Sequence, residues 1–268
     1  MAGGCFPHGE KKLLLLDISN TFTKWMFLDG TDAPLPQPQK TPTASLDAAK
    51  IKRLFSGAGR AVICSVVPPV GKAVKRLLPQ ARFISYSSPS PLTFSLENPA
   101  RLGADRIANA IGAVSLYGAP VVAIDMGTAT TFEVVDSRLR FIGGIIAPGL
   151  GSMAASLHEK TAQLPMIDLA APSSVLGRNT KDAMQSGVVL GYAGLVQHLL
   201  DAIKKELPAS RRKITLVATG GDAPIVLPLL EGTVIHNPLL TFEGMRVVAG
   251  EIWSQHTNSS RLKKSISY

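Results

Sequence analysis

The sequence predicts an α/β protein made of two similar lobes with a cleft between them. The first observation is a repeat: residues 13–29 and 121–136 each contain an apolar run, an Asp, a turn rich in small polar residues and a second apolar run. Short apolar runs bounded by turn residues are typical of hairpin strands. The second is that small residues follow a strand in both AVICSVVP (61–68) and LVATGGDAP (216–224). The third is a composition of 46% hydrophobic and 18% charged residues, which is typical of a folded chain.

Each hairpin turn carries groups that suit an anion and a cation. Asp17 and Asp125 end the first strand of each copy. Side chains near them can bind phosphate together with backbone N–H groups; they are Ser19, Asn20, Thr21 and Thr23, and then Thr128, Thr130 and Thr131. Two facing turns of this kind would form a cleft between two similar lobes, which is typical of a nucleotide-dependent phosphotransferase. The alternative is that Asp is only a good turn former, but two copies about a hundred residues apart favour a duplicated unit.

In the first half, the Pro- and Thr-rich residues 31–45 predict a surface loop. Helical spacing predicts helices over 45–57 and 70–80, and the apolar run 61–68 predicts a buried strand between them. A loop at 87–92 precedes a further helix, which begins near Gly103.

In the second half, the hairpin that begins at Val121 is followed by four elements before the last strand. They are a strand at 141–147, a Gly-rich loop at 148–152, a helix at 153–161 and the longest helix at 181–205, with Asn179 or Thr180 as its N-cap. The run 214–224 predicts a strand that leads into a Gly pair.

Composition also limits the class of protein. No apolar run approaches the ~20 residues of a membrane helix, and the N-terminal residues lack a signal-peptide core. Cys5 and Cys64 are the only cysteines and have no metal-site spacing, so a reducing cytoplasm is expected. The net charge of +9 is compatible with a solvated basic surface, with attraction of anionic substrates or with nucleic-acid binding. Because basic residues are dispersed and aromatic residues do not alternate with them, we expect neither nucleic-acid nor membrane partners.

Specific motifs then identify a family. They are DISNTFTK (17–24), NPARLGADR (98–106), DMGTATTF (125–132), GGIIAPGL (143–150), TAQLP (161–165), GRNTKDAMQSG (177–187) and ATGGDAP (218–224). With these motifs the chain resembles a type III pantothenate kinase, of the actin-like and sugar-kinase-like superfamily. The resemblance implies two duplicated ribonuclease H-like lobes, at 13–115 and 116–256, with flexible tails at 1–12 and 257–268.

The resemblance also implies an activity. This family transfers a phosphoryl group from ATP to the primary hydroxyl of pantothenate, the first step toward coenzyme A. Such a transfer needs positioned donors, a cation and a base near the acceptor hydroxyl. Asp105 matches the family's catalytic base, although on residue type alone a helix-capping or dipole role is favoured over a base.

Three sets of binding residues follow from the same resemblance. The ATP-binding set is Asp17, Ile18, Ser19, Asn20, Thr21, Phe22, Thr23, Lys24, Thr128, Gly220 and Gly221. The pantothenate-binding set is Gly103, Ala104, Asp105, Arg106 and Thr180, with Arg106 either binding the substrate's acid end or pairing with a nearby carboxylate. The cation set is Asp17, for Mg²⁺ through water, and Asp125, for K⁺ or NH₄⁺. A homodimer is implied, with the active site near the interface.

The chain departs from the family pattern at two positions. Ser19 stands where the family commonly has Gly, and it would be strained by about 1 kcal/mol if the turn requires a positive φ. Leu96 stands where family members often have Tyr. Two other functions remain alternatives: a sugar or polyol kinase, against which GADR and GRNT argue, and a non-catalytic regulator, against which the intact Asp17, Asp105 and Asp125 argue.

Overall fold

The computed structural model describes residues 12–207 and 213–264. The chain divides into two units, one of residues up to Leu116 together with those from Leu239 onward, the other Tyr117–Pro238. The strands and helices of the first unit, up to residue 117, are β1 (Leu13–Ile18), β2 (Phe22–Leu28), β3 (Gln39–Pro42), α1 (Ala48–Phe55), β4 (Arg60–Ser65), α2 (Pro68–Leu77), β5 (Arg82–Phe83), β6 (Thr93–Phe94) and α3 (Ala104–Tyr117).

The sheet of the first unit has the strand order β3-β2-β1-β4-β5. Its central strand β1 is antiparallel to β2 and parallel to β4. The four leucines of β1 are buried because β1 has a strand on either side and apolar side chains on both faces. Helices α1 and α2 are amphipathic and pack their apolar residues, among them Ile51, Phe55 and Val74, into this core.

The second unit contains β7 (Val121–Met126), β8 (Ala129–Val135), β9 (Arg140–Pro148), α4 (Leu150–Lys160), α5 (Thr180–Glu206), β10 (Thr215–Thr219), α6 (Ala223–Val226) and β11 (Ile235–His236). Its sheet contains the sequence of strands β9-β8-β7-β10-β11. This order repeats that of the first unit, strand for strand. Each Asp is also the penultimate residue of its central strand and has a partner on both sides: Asp17 pairs with Lys24 and Cys64, and Asp125 pairs with Thr131 and Thr219. The predicted duplicated α/β fold is therefore confirmed.

Helix α5 forms much of the core of the second unit. Its residues Val189, Tyr192, Val196 and Leu200 are fully buried against strands β7 and β8 and their neighbours. Among the described residues, it is the helix long and apolar enough by length and composition to cross a membrane. Since its apolar face is already used by this core, that similarity is weak evidence for a membrane span.

A helix absent from the sequence-based prediction, α7 (Leu240–Lys264), belongs to the first unit. It packs on β1 and β4, and it approaches α3 so closely that a Cβ at Gly244 would overlap the carbonyl of Ala108. The sequence-based boundaries instead placed residues up to 256 in the second lobe. Of the two predicted tails, residues 1–11 and 265–268 lie outside the described residues, whereas residues 257–264 continue α7.

The predicted surface loop over residues 31–45 also contains regular structure that alternation did not indicate. Strand β3 pairs with β2 in this region, and a single 3₁₀ turn, Thr43–Ser45, follows it. This segment proves important for the first hairpin turn, which it contacts directly.

Candidate functional site

The first turn, residues 19–21, joins β1 to β2 and lies next to Asp17, which is only 6% exposed. The Ser19 hydroxyl donates a hydrogen bond to Asp17 Oδ1 at 3.0 Å. The Ser19 N–H donates to the Phe22 carbonyl at 3.3 Å and so closes the turn. The turn is formed without strain at Ser19, because the only described non-glycine residue with a positive φ is Leu139.

The predicted ATP-binding residues of this segment occupy two different environments. Asn20, Thr21 and Phe22 are exposed at the turn, whereas Ile18 and Thr23 are fully buried. The Thr23 hydroxyl bonds to Thr43 Oγ1 at 3.0 Å within the protein. Any contact of Ile18 or Thr23 with ATP is therefore restricted to the backbone. Lys24 is half-buried and lies opposite Asp17 in the hairpin register.

Asp105 lies in the first turn of α3, directly after the helix-starting residues Gly103 and Ala104. Its Oδ1 accepts a hydrogen bond from the Arg106 N–H at 2.8 Å. Burial raises the pKa of this carboxyl, although the Arg106 N–H and the positive charge of Arg106 act in the opposite direction. The geometry supports the helix-dipole role that the sequence left open, and the raised pKa also suits a base.

The second turn lies between β7 and β8 and places Asp125 half-buried beside Gly127. Unlike the first turn, it is held by the segment that follows β9. The Gly149 N–H and the Ser152 hydroxyl both donate to the Thr128 carbonyl, at 3.2 and 2.6 Å. The predicted loop 148–152 is wrong, because only Gly149 separates β9 from α4; the structure therefore brings the predicted residue Thr128 next to the junction of β9 and α4.

Two glycines make this arrangement possible. A Cβ at Gly149 would overlap the carbonyl oxygen of Gly127, and a Cβ at Gly220 would overlap the backbone of Met126. Gly220 also has a φ of +96°, which side-chain-bearing residues rarely adopt. Its neighbour Gly221 is exposed, and among the described residues no atom lies within 4 Å of its Cβ position. Gly220 is thus required for the turn, whereas the space at Gly221 is open to a ligand.

Sequence reasoning missed Tyr192 of α5, which supports the second turn through Thr130 at the start of β8. Its side chain is fully buried, and its hydroxyl forms a short hydrogen bond with Thr130 Oγ1. Thr130 Oγ1 in turn donates to the Pro148 carbonyl at 3.4 Å, so Tyr192 is the donor to Thr130. Burial, together with the charges of Asp222 and Asp125, raises the pKa of Tyr192 to about 12 although the Thr130 bond acts in the opposite direction, so this donor keeps its proton at neutral pH.

Asp222 is a second residue that sequence reasoning did not single out, although it follows the predicted Gly pair. Its backbone N–H donates to the Met126 carbonyl at 3.1 Å. Its carboxylate accepts a hydrogen bond from the Gly151 N–H near the start of α4, while burial raises its pKa. Asp222 therefore links the Gly pair both to β7 and to the start of α4.

Thr180 is the exposed first residue of α5. The N-cap of this helix is Asn179, whose Oδ1 accepts from the Asp182 N–H at 3.0 Å. Thr180 is therefore not the cap. It lines an open depression of about 510 Å³ together with Leu164, Gly177, Arg178, Asn179, Ala183 and Met184.

Within the described part of the chain, no three or more His, Cys, Asp or Glu side chains form a group that could hold a metal ion. Mg²⁺ usually keeps several waters and binds through one or two carboxylates plus substrate phosphates. Asp17 is a carboxylate of that kind, held by Ser19. Asp125, with its Oδ1 beside the turn residue Gly127, offers a hard oxygen ligand for a monovalent cation.

Solved structures with the same fold define the class of protein. A Campylobacter jejuni protein assigned to the Baf family of transcriptional activators has a TM-score of 0.58 at 22% identity, covering 89% of this chain and 98% of that one. The activator of 2-hydroxyisocaproyl-CoA dehydratase from Clostridium difficile, with bound ADPNP, has a TM-score of 0.53 at 13% identity and covers 93% and 97%. At these identities the likeness concerns the fold alone, which the archaeal actin homologue Ta0583 also shares, with a TM-score of 0.50 at 13% identity.

The family is shown by sequence. The model of the type III pantothenate kinase family matches residues 13–202. The type III pantothenate kinase of Akkermansia muciniphila is 40% identical over 240 residues, which cover 88% of this chain and 98% of that protein. The chain therefore belongs to the type III pantothenate kinase family, which confirms the resemblance noted in its motifs.

Proposed function

We propose that this protein transfers the γ-phosphoryl group of ATP to the primary hydroxyl of pantothenate, giving 4′-phosphopantothenate and ADP. Kinases of this family carry out that reaction as the first step of coenzyme A synthesis. The observation that carries the residue-level proposal is Asp105, a half-buried carboxylate with a raised pKa inside the GADR motif. Perturbed carboxylates of this kind are common among catalytic acids and bases.

Asp105 acts as the general base. Its carboxylate takes the proton of the pantothenate hydroxyl, the hydroxyl oxygen forms a bond to the γ-phosphorus, and the bond from that phosphorus to the β–γ bridging oxygen of ATP breaks. The hydrogen bond from the Arg106 N–H fixes the orientation of the Asp105 carboxylate. A raised pKa strengthens the base, provided that it stays below the working pH.

The two turns bind the phosphates of ATP. In the first unit, Asp17, Asn20, Thr21 and Lys24 serve this role; in the second unit, Thr128 and the open backbone at Gly221 face the nucleotide. Mg²⁺ held by Asp17 through water would neutralise charge that develops on the transferred group. Asp125 would hold K⁺ or NH₄⁺, and this positive charge would offset repulsion between the carboxylate and the phosphates.

The enzyme acts as a homodimer in which Thr180 completes the partner's pantothenate site. Support comes from the exposed face of α5, where Gly187, Gly191 and Gly194 follow helical spacing and a Cβ at each would meet no described atom within 4 Å. Such a face admits the close approach of another helix. Beside it lies an open apolar depression of about 410 Å³, lined by Pro148, Ser152, Met153, Ser156, Leu157, Ala183, Met184, Gly187 and Val188. We place the enzyme in the cytoplasm, where a buried thiol such as Cys64 stays reduced.

The direct test is a reaction of the purified protein with ATP, Mg²⁺, K⁺ and pantothenate, with the products identified by mass spectrometry. Phosphopantothenate is expected, and sugars or polyols offered in its place should remain unmodified. Asp105→Asn should lower kcat by about 10²–10⁴-fold, the usual size of a general-base contribution. A variant with more than half of the wild-type kcat would exclude Asp105 as the base.

Thermal unfolding at neutral and at acidic pH is the control that shows whether Asp105→Asn is folded. Because burial raises the pKa of Asp105 in the folded protein, the folded state binds the proton more tightly than the unfolded chain. Stability from this residue is therefore present below the unfolded pKa and is lost as the pH rises through the folded value. Asp105→Asn should have a Tm equal to or above that of the wild type at pH 7, and this advantage should disappear at acidic pH.

The shared site is tested by mixing two inactive variants, Asp105→Asn and Thr180→Arg, after dissociation and reassociation. If Thr180 acts across the interface, a mixed dimer has one intact site and activity returns. Mixed dimers without activity would instead place both residues in the site of a single chain.

A further inference from the structure

Ser19 is the departure from the family pattern that lies closest to a proposed cation-binding carboxylate. The structure removes the objection that a side chain strains this turn, since Ser19 does not have a positive φ. Its hydroxyl instead donates to Asp17 Oδ1 at 3.0 Å. A glycine at this position has no group that can make this bond.

The backbone of the same turn is held by a residue that no motif includes. Thr43, in the 3₁₀ turn after β3, donates from its hydroxyl to the Ser19 carbonyl at 2.7 Å. Its backbone N–H donates to the Thr21 carbonyl at 3.0 Å. Thr43 thus holds both ends of the residues 19–21.

The hydroxyl of Thr43 is itself oriented by a buried residue, Thr23. Thr43 is 4% exposed and Thr23 is fully buried, and their hydroxyl oxygens lie 3.0 Å apart. Because Thr43 gives its single proton to the Ser19 carbonyl, Thr23 is the donor in this pair. The result is a directed series of bonds from Thr23 to Thr43 to the Ser19 backbone, beside the bond from the Ser19 side chain to Asp17.

We propose that Ser19 and Thr43 are positioning residues for Mg²⁺-bound ATP in this enzyme. Thr43 fixes the backbone of the first turn, and the Ser19 hydroxyl holds the Asp17 carboxylate in the orientation that receives the hydrated cation. The proposal rests on the proposed function, because it assigns the cation of ATP to Asp17. Oriented carboxylate ligands are commonly fixed by neighbouring hydrogen bonds, whose loss weakens metal affinity.

The experiment is calorimetric titration of the full chain with ATP, with Mg²⁺ in one series and with EDTA in the other. Ser19→Ala should weaken binding of ATP about 3- to 10-fold with Mg²⁺, in keeping with the usual net contribution of one hydrogen bond. With EDTA, its affinity should change less than about 2-fold. Ser19→Thr restores a hydroxyl and should return Mg²⁺-dependent binding to near the wild-type value. In an Asp17→Asn background, Ser19→Ala should cause no further loss.

For Thr43, the comparison is between Thr43→Val, which removes the hydroxyl, and Thr43→Ser, which keeps it. Thr43→Val should weaken ATP binding in both series, because the whole turn loses its support, and Thr43→Ser should not. Thr41→Val is the matched control, since the Thr41 hydroxyl bonds to Ser45 and Lys50 rather than to the turn. Its ATP affinity should equal that of the wild type.

Three results would overturn the proposal: equal losses for Ser19→Ala with and without Mg²⁺, failure of Ser19→Thr to restore binding, or equal effects of Thr43→Val and Thr41→Val. A wild-type chain that binds Mg²⁺ and ATP in this way but forms no phosphopantothenate would refute the proposed function while leaving the positioning roles in place. A wild-type chain that binds no ATP would refute both.

Discussion

The two hairpin turns have the same topology but are stabilised by different interactions. The first turn is stabilised by hydroxyl side chains: Ser19 bonds to Asp17, and Thr43 bonds to the turn backbone. In the second, hydroxyl bonds from Ser152 and Tyr192 are joined by close main-chain packing of Gly149 on Gly127 and Gly220 on Met126. Equivalent positions in a duplicated fold therefore tolerate different substitutions.

Each turn is supported by the segment that follows the third strand of its own unit, but the second turn has an additional support. The first turn is held by the 3₁₀ turn after its own third strand, β3. The second is held by the segment after its third strand, β9, and also by Tyr192 of the long helix α5. This difference indicates that the first turn depends on a few polar bonds that can be removed one at a time, whereas the second depends on close packing of backbone in addition to such bonds.

The largest effect should come from a side chain in the backbone contact of the second unit. Gly220→Ala should destabilise the protein by about 2–5 kcal/mol, which combines about 1–2 for a positive φ and about 1–3 for overpacking. Gly221→Ala is a matched control one residue away, with open space at its Cβ position among the described residues. Urea unfolding would measure both, and similar midpoints for the two variants would contradict the packing account.

The next largest effect should come from the cations proposed to bind at Asp17 and Asp125, the carboxylates of the two turns. Replacing Na⁺ by K⁺ or NH₄⁺ should raise activity, because K⁺ and NH₄⁺ are the cations proposed for Asp125. A bound cation offsets the Asp125 charge, and a charge pair near 4 Å is worth about 1 kcal/mol in bulk water and about 4 near a protein surface. Asp125→Ala should abolish this salt preference, whereas Asp17→Asn should leave any residual activity dependent on K⁺ and lower its response to Mg²⁺. The measurement is initial rate in each chloride salt at constant ionic strength. Equal rates in all salts, with Asp125→Ala harmless, would remove the cation from the second turn.

The smallest effect should come from loss of the Tyr192 hydroxyl, which bonds to Thr130 beside the second turn. Tyr192→Phe should lower the free energy of unfolding by about 1 kcal/mol, the usual contribution of one hydrogen bond. It should also raise the K⁺ concentration at half-maximal activity, whereas Thr43→Val should leave that concentration unchanged. A double-mutant cycle with Thr130→Val isolates the Tyr192–Thr130 bond; additive losses would show that the two hydroxyls are not coupled.

The repeat, the predicted hairpins and the order of helices and strands from β7 to β10 agree with the structure because apolar periodicity and turn residues are local signals. The long helix was predicted at 181–205 and spans Thr180–Glu206, with Asn179 as its cap. Helix α7 and strand β3 were not predicted. The polar C-terminal half of α7 conceals its periodicity, and the Pro-rich surroundings of β3 favour a loop.

The sequence by itself determined the duplicated fold and the family, since both depend on motifs that are each local in the chain, and it singled out the three aspartates on which the proposed function depends. Only the tertiary structure showed that Thr43 holds Ser19 from 24 residues away, that Tyr192 supports Thr130 from 62 residues away, and that α7 joins the first unit. Such contacts depend on which faces of distant elements meet, and local periodicity does not specify them.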